Sequence, residues 1–417
     1  MSISNKLSIK DVDVKNKRVL IRVNFNVMQN SELVITNNER IVAALPTIKY
    51  LQEQGASGVV LMSHLGQPNG QVVAKYSLKP VADELQKLLG QDVAFLSDCV
   101  GAEVENACAD LTGGQVVLLE NLRFHIEEVG SARDSEGNMI KADPSKIKEF
   151  RKSLAKLGDV YVNEAFEVAH TSHSSVVGID LPVCAAGLLM QKELEYFGKV
   201  TEDPARPYLA ILGGSKLSTK IQLIDSLLDK VDMMIITGGI AYTFLKVVSG
   251  MDIGGSLYDP KGAESAQKLV DKAKERGVEF VLPRDFMIAY EFSAYADGTL
   301  VAMEEGIPAN ARGLDIGPYS IRHFGKMIAK AKTIVWNGPS GVFEFKNFAE
   351  GTNKMMDNII KAKENGATAI VVGGDSISAA SNHGVADKFS HVSTGGAASL
   401  KLLEGKELPG VAVLSTK

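Results

Sequence analysis

Short apolar runs in this chain end in two chemically different ways. In the second half they run into glycines: residues 209–212 into Gly213-Gly214-Ser215-Lys216, 233–236 into Thr237-Gly238-Gly239, 334–336 into Asn337-Gly338-Pro339-Ser340-Gly341, and 370–372 into Gly373-Gly374-Asp375. In the first half the ends are polar or charged: Arg22-Val23-Asn24-Phe25-Asn26, Ser63-His64-Leu65-Gly66, Glu120-Asn121-Leu122-Arg123 and Asn163-Glu164-Ala165-Phe166. Glycine turns let backbone N–H groups approach a phosphate closely, whereas His, Arg and Asn side chains hold a small anion. Two kinds of pocket imply two substrates brought together.

One glycine turn after a strand more often serves chain reversal than ligand binding. Four of them, two carrying Lys216 or Asp375, favour a phosphate-bearing ligand. Lys220 follows Lys216 by four residues and shares its face if a helix starts there. Asp375 suits Mg²⁺, which takes one or two carboxylates plus phosphate oxygens, and it equally suits the N-cap of a following helix. Neither a Walker A sequence nor a G-x-G-x-x-G fingerprint is present. First-half candidates are Asn24, Asn26, Arg40, His64, Arg123 and His170. His125, His173, His323, His383 and His391 are read as structural, and Tyr76 and Tyr161 as packing residues.

What must position these residues is an α/β framework. Apolar β-branched runs alternate with segments of helical period, the habit of parallel sheets. Strands are expected near 19–23, 59–62, 116–119 and 160–162, then near 208–212, 233–236, 279–282, 333–336 and 369–372. Helices are expected over 78–89, with Pro80 in its first turn, and over 262–276, ending at Gly277. Met190, Leu194 and Phe197 fall at helical spacing, so residues 185–199 read as a connecting helix between two domains. Residues 130–144 read as an exposed excursion.

The chain's 417 residues suffice for two domains, and 45% hydrophobic with 23% charged residues suits a soluble globular protein. A net charge of −5 gives no case for nucleic acid. No run has the length of a membrane span, and the first residues lack a signal peptide's apolar core. Cys99, Cys108 and Cys184 match neither a disulfide framework nor a common zinc spacing, which points to a reducing cytoplasm.

The runs 22–27, 63–66 and 120–125, with 209–214, 220–225, 335–339 and 391–396, closely resemble those of phosphoglycerate kinases. The resemblance extends from about Ser4 to Lys417. It implies two doubly wound, Rossmann-like parallel-sheet domains joined by a hinge helix. Residues 1–188 would hold phosphoglycerate, with 405–417 packing back on them, and 189–404 would hold nucleotide. The implied reaction is reversible phosphoryl transfer between 1,3-bisphosphoglycerate and ADP, giving 3-phosphoglycerate and ATP, with Mg²⁺ in a cytoplasmic, glycolytic monomer.

On that pattern Arg40 and Lys216, with backbone N–H groups near Gly374 and Gly396, would stabilise the transferring phosphoryl group. The acid would meet Val23, Asn24, Phe25, Asn26, Arg40, Ser63, His64, Gly66, Gln67, Arg123, His170 and Thr171. The nucleotide would meet Gly214, Ser215, Lys216, Lys220, Gly239, Leu257, Phe292, Gly313 and Leu314. It would also meet Asn337, Pro339, Gly341, Glu344, Gly373, Gly374, Asp375 and Ser376, with Asp375 on the metal. The acid pocket departs from the family pattern, which has Asp at position 24 and Arg at 67 and 171; here they are Asn24, Gln67 and Thr171. Glu39, Glu164 and Glu167 replace Gln, Asp and Gly. Two lost cations, at about 1.5–3 kcal/mol per charge-assisted hydrogen bond, predict weakened activity. The alternative is a non-catalytic, nucleotide-binding or regulatory paralogue. On the nucleotide side Thr237, Val372 and Ala397 occupy glycine positions and are expected to crowd the phosphates, and Arg312 stands where an apolar residue is usual.

Overall fold

The computed structural model describes residues 2–417. The chain forms two compact units, one of residues up to Glu195 plus Glu407–Lys417 and the other of Tyr196–Lys406.

The first unit is built on six parallel strands in the spatial order Cys184–Ala186, Val160–Asn163, Arg18–Arg22, Gly58–Met62, Gln115–Leu118, Val93–Phe95. Its strands are apolar at consecutive positions because both faces are covered. Val19, Ile21, Val59, Leu61, Val160 and Val162 enter one core cluster, and Leu20, Val60, Met62 and Tyr161 enter the other, as alternation along a strand requires. The register pairs Ile21 with both Leu61 and Val162. Residues near the C-terminus return to this unit: Ser415 bonds Leu7 and Cys184, and the buried Lys6 ammonium donates to the carbonyls of Ala412 and Leu414.

The second unit repeats the plan with Glu279–Val281, Met233–Ile236, Tyr208–Leu212, Thr333–Asn337, Thr368–Val371 and His391–Val392, all parallel. It also carries a three-stranded antiparallel sheet of Thr299–Ala302, Asp285–Ala289 and Arg312–Ile316, which the sequence pattern did not announce. Gly313 and Asp315 interrupt the last of these with residues depleted in strands. The strands 93–95, 184–186 and 391–392 were missed because two or three residues carry no readable period.

Helix ends follow local chemistry. Lys79–Leu89 has Pro80 in its first turn and stops at the left-handed Gly90. Pro260–Glu275 begins before the expected residue 262 because its proline fits a first turn. The connecting helix spans Leu188–Thr201. The 130–144 excursion contains a small hairpin, Ser131–Arg133 against Met139–Lys141.

Candidate active site

In a doubly wound sheet, a crevice opens beyond the strands where the connections leave in opposite directions. In the second unit those strands are Tyr208–Leu212 and Thr333–Asn337. The neighbouring glycine turns start helices: Gly238 precedes Gly239–Ser249 and Gly373 precedes Gly374–Asn382, each glycine at positive φ. Such N-termini present unpaired N–H groups and a positive dipole end, which suits phosphate.

A cavity of about 430 Å³ lies there, lined by Gly214, Ser215, Gly238, Gly239, Pro339, Gly341, Glu344 and Asp375. Leu257, Phe292, Gly313 and Leu314 add apolar lining of the kind that holds a planar base. Arg312 also lines it, as do Tyr242 and Ser256, which the sequence reading missed. Their signals were faint: Tyr242 lies three residues beyond Gly239, and Ser256 follows Gly254-Gly255. Ser256 Oγ accepts the Gly313 N–H at 2.9 Å. A Cβ on Gly313 would lie 2.0 Å from the Tyr242 hydroxyl, so only glycine fits.

Other expected nucleotide residues stand outside that lining. Lys216 is exposed, while Lys220 is largely buried, its ammonium donating to the carbonyl and side-chain oxygens of Asn337. Burial pushes Lys220 down to about 8, with Asp375 opposing that shift. Asn337 also donates to the Val372 carbonyl at 2.8 Å, and buried Ser376 Oγ accepts the Gly338 N–H at 2.6 Å. Asn337 and Ser376 therefore tie neighbouring turns together. Gly373 caps its helix and Gly374 is exposed, as is Gly396 at the start of Ala397–Leu403. Asp375 is not the N-cap, because Gly373 is; its carboxylate is exposed, with no hydrogen bond or ion pair among the described residues. Thr237 and Val372 were expected to crowd a phosphate, but both are fully buried and absent from the cavity lining.

In the first unit the corresponding strands are Arg18–Arg22 and Val160–Asn163. Arg22 is fully buried, donating to Ser175 Oγ at 2.8 Å and to His64 Nδ1 at 2.9 Å. A guanidinium has only donors, so that Nδ1 accepts and His64 is neutral with its proton on Nε2. Burial first, then Arg22, Arg123, His173 and Arg40, hold His64 well below the ordinary imidazole value. Burial, followed by Arg22, pushes Arg123 down to about 10, and burial, followed by Arg123 and Arg22, pushes His173 down to about 4. Arg123 Nε and His173 Nδ1 are buried without hydrogen-bond partners among the described residues. Burial is the largest cause of each lowered value, and the arginines add to it because they lie close by; convergent guanidinium groups make an anion site. His173, set aside as structural, belongs to this cluster; its signal was its spacing of three from His170.

Arg40 sits in the first turn of the helix Glu39–Glu53, donates to the Asn26 carbonyl and pairs with Glu167 at 3.0 Å. Asn24 donates its amide to the same Glu167 carboxylate. His170 Nδ1 donates to the Glu167 carbonyl at 2.9 Å, and the Thr171 hydroxyl donates to the Val168 carbonyl at 2.8 Å. Asn26 Oδ1 accepts the Gly66 N–H at 2.9 Å, and Arg123 donates to the Gly66 carbonyl at 3.0 Å. Three expected ligands turn inward: Val23 and Phe25 lie in the apolar core, and Ser63 is buried, accepting the Phe25 N–H at 2.9 Å. Their side chains stabilise the turns and leave only backbone groups for a ligand. Gln67 is exposed and lines, with Arg123, a separate hollow of about 290 Å³.

A family model described as phosphoglycerate kinase matches residues 9–406. The chain is 58% identical to phosphoglycerate kinase of Candida albicans over 417 residues, covering 100% of both chains. It is 59% identical to that of Saccharomyces cerevisiae with the same coverage. The structure of phosphoglycerate kinase from Coxiella burnetii matches with a TM-score of 0.86 at 38% identity, covering 98% of each chain. That from Pyrococcus horikoshii OT3 matches at 0.74 and 30%, again covering 98% of each. Full-length likeness at this level favours an enzyme over a non-catalytic paralogue. The chain belongs to the phosphoglycerate kinase family and is a kinase of that family.

Proposed function

We propose that the chain transfers a phosphoryl group reversibly between 1,3-bisphosphoglycerate and ADP, with the acid at the cation cluster of the first unit and the nucleotide in the glycine-lined cavity of the second. The acid-binding domain is then residues 1–188 with 405–417, and the nucleotide-binding domain 189–404. The observation that carries this assignment is the gathering of Arg22, Arg40, Arg123, His64 and His173 beyond the strands Arg18–Arg22 and Val160–Asn163, where Arg22 donates to His64 and Arg40 and Arg123 hold the Asn26 and Gly66 carbonyls.

In the direction of ATP use, a carboxylate oxygen of 3-phosphoglycerate attacks the γ-phosphorus while ADP leaves on the opposite side. No covalent enzyme intermediate is needed, so the protein supplies alignment and charge stabilisation. Arg40 and Lys216 neutralise the transferring group, with backbone N–H groups near Gly374 and Gly396, and Lys220 faces nucleotide phosphate. Asp375 fits Mg²⁺: it is an exposed, unpaired carboxylate at the cavity, and such an ion takes one or two carboxylates with phosphate oxygens. When bound, the ion offsets phosphate charge. A hinge motion about the 188–201 helix brings the ligands into line. We place the enzyme in the cytoplasm as a monomer on its family likeness; no helix among the described residues is long and apolar enough to cross a membrane.

Coupled assay of ATP and 3-phosphoglycerate tests this directly. The parent should turn over, and Arg40→Ala should lose about 100-fold or more in kcat. Parent turnover no faster than that of Arg40→Ala would reject the assignment.

A further inference from the structure

We infer that Glu167 is a specificity-determining residue of the acid site, an internal carboxylate that engages Arg40 until the substrate's own anionic group displaces it. The role rests on the placement of the acid at Arg40 proposed above.

Glu167 lies in the short helix Phe166–Val168, which follows the strand Val160–Asn163. Phe166 and Val168 are buried on either side of it, so the turn is anchored and the carboxylate emerges at the rim. There one oxygen accepts the Asn24 amide, and the guanidinium of Arg40 lies 3.0 and 3.1 Å from the two oxygens. Arg40 is held from its other side by the Asn26 carbonyl, so the pair is positioned from two elements. Both side chains remain partly exposed, at 41% for Arg40 and 35% for Glu167, so solvent and an incoming anion reach them.

The contact has the geometry of an anionic ligand on its cation, and a carboxylate is the group that the acid substrate itself carries. Binding the acid at Arg40 therefore exchanges one carboxylate for another instead of filling an open site, and the gain per contact is reduced accordingly. Asn24 is the matching change. An Asp at that position would set two carboxylates side by side, whereas the Asn24 amide donates to Glu167. Asn24 and Glu167 thus act as a pair that keeps Arg40 occupied. The pair disfavours weakly charged acids, because only a strongly anionic ligand competes well against a tethered carboxylate.

The test is calorimetric titration of 3-phosphoglycerate into the parent, Glu167→Gln, Glu167→Gly, Arg40→Ala and the Arg40→Ala/Glu167→Gln double variant, with steady-state kinetics beside it. Both Glu167 variants should bind the acid about tenfold more tightly and lower its KM to match, while the KM for ATP stays put. In the Arg40→Ala background the second change should gain nothing. Unchanged or weaker acid binding in both Glu167 variants, or an equal gain without Arg40, would overturn the role. If Arg40→Ala weakens the acid and the Glu167 variants fail to tighten it, only this inference falls. If Arg40→Ala binds the acid as tightly as the parent, the placement of the acid falls with it.

Discussion

Lys220 and Lys216 show why residue spacing alone misleads at a turn. Four residues apart, they would share one face of an α-helix, but Leu217–Thr219 forms a 3₁₀ turn with three residues per turn. Lys216 is left exposed, and Lys220 is carried inward against Asn337. Burial lowers Lys220 to about 8, so its charge is present at pH 7 and mostly lost at pH 9. If nucleotide phosphate requires the protonated form, the Kd for ADP should rise about tenfold over that range, as measured by calorimetry. Lys220→Arg should flatten the profile, because a guanidinium stays charged throughout. An affinity for ADP independent of pH in the parent would remove Lys220 from the phosphate site.

Among the elements, the turns hold more information than the strands. The strands 208–212 and 233–236 were readable from apolar β-branched runs, whereas 391–392 and the sheet containing 312–316 were not, for want of length or pattern. The glycine turns were readable as special, but their reason is spatial. Gly238 has φ +63°, and a Cβ there would lie 2.6 Å from the Pro339 carbonyl oxygen, in the turn after Thr333–Asn337, two strands away. Gly238→Ala should therefore cost roughly 1–3 kcal/mol in stability and weaken nucleotide binding. A lowered midpoint in chemical denaturation, together with a raised Kd for ADP, checks both. An unaltered midpoint would mean that the turn relaxes freely.

Across the whole molecule, each unit holds a buried carboxyl group that stays hard to ionise although it serves backbone N–H donors. Glu164 accepts from Leu189 and Met190 at the start of the 188–201 helix, and Asp315 accepts from Ile316 and Gly351. Burial raises both to about 7 despite these bonds. Their folded values exceed the unfolded ones, so the native state binds more protons between about pH 4 and 7. Stability from this source is greatest at the acid end of that window and falls as pH rises through it. The thermal midpoint should drop by about 5 °C between pH 5 and 8 from these groups, and Glu164→Gln and Asp315→Asn should each lessen the drop. Equal pH dependence in parent and variants would assign the effect elsewhere.

The sequence by itself determined the α/β plan, the contrast between glycine-ended and polar-ended strands, and the kinship that names the reaction. The first two follow from local period and turn chemistry, which neighbouring residues encode; the kinship follows from the likeness of whole runs such as 22–27 and 335–339. Only the tertiary structure decided which of the named side chains are exposed beyond the strand ends and which are buried. Val23, Phe25 and Ser63 turn into the core, and Asn337 and Ser376 bind neighbouring turns. It also decided that Glu167 reaches Asn24, 143 residues away in the chain, and occupies Arg40. Strand alternation sets the direction of a side chain only within the strand. Beyond its end, direction is set by packing and hydrogen bonds between segments distant in sequence, which no local pattern records.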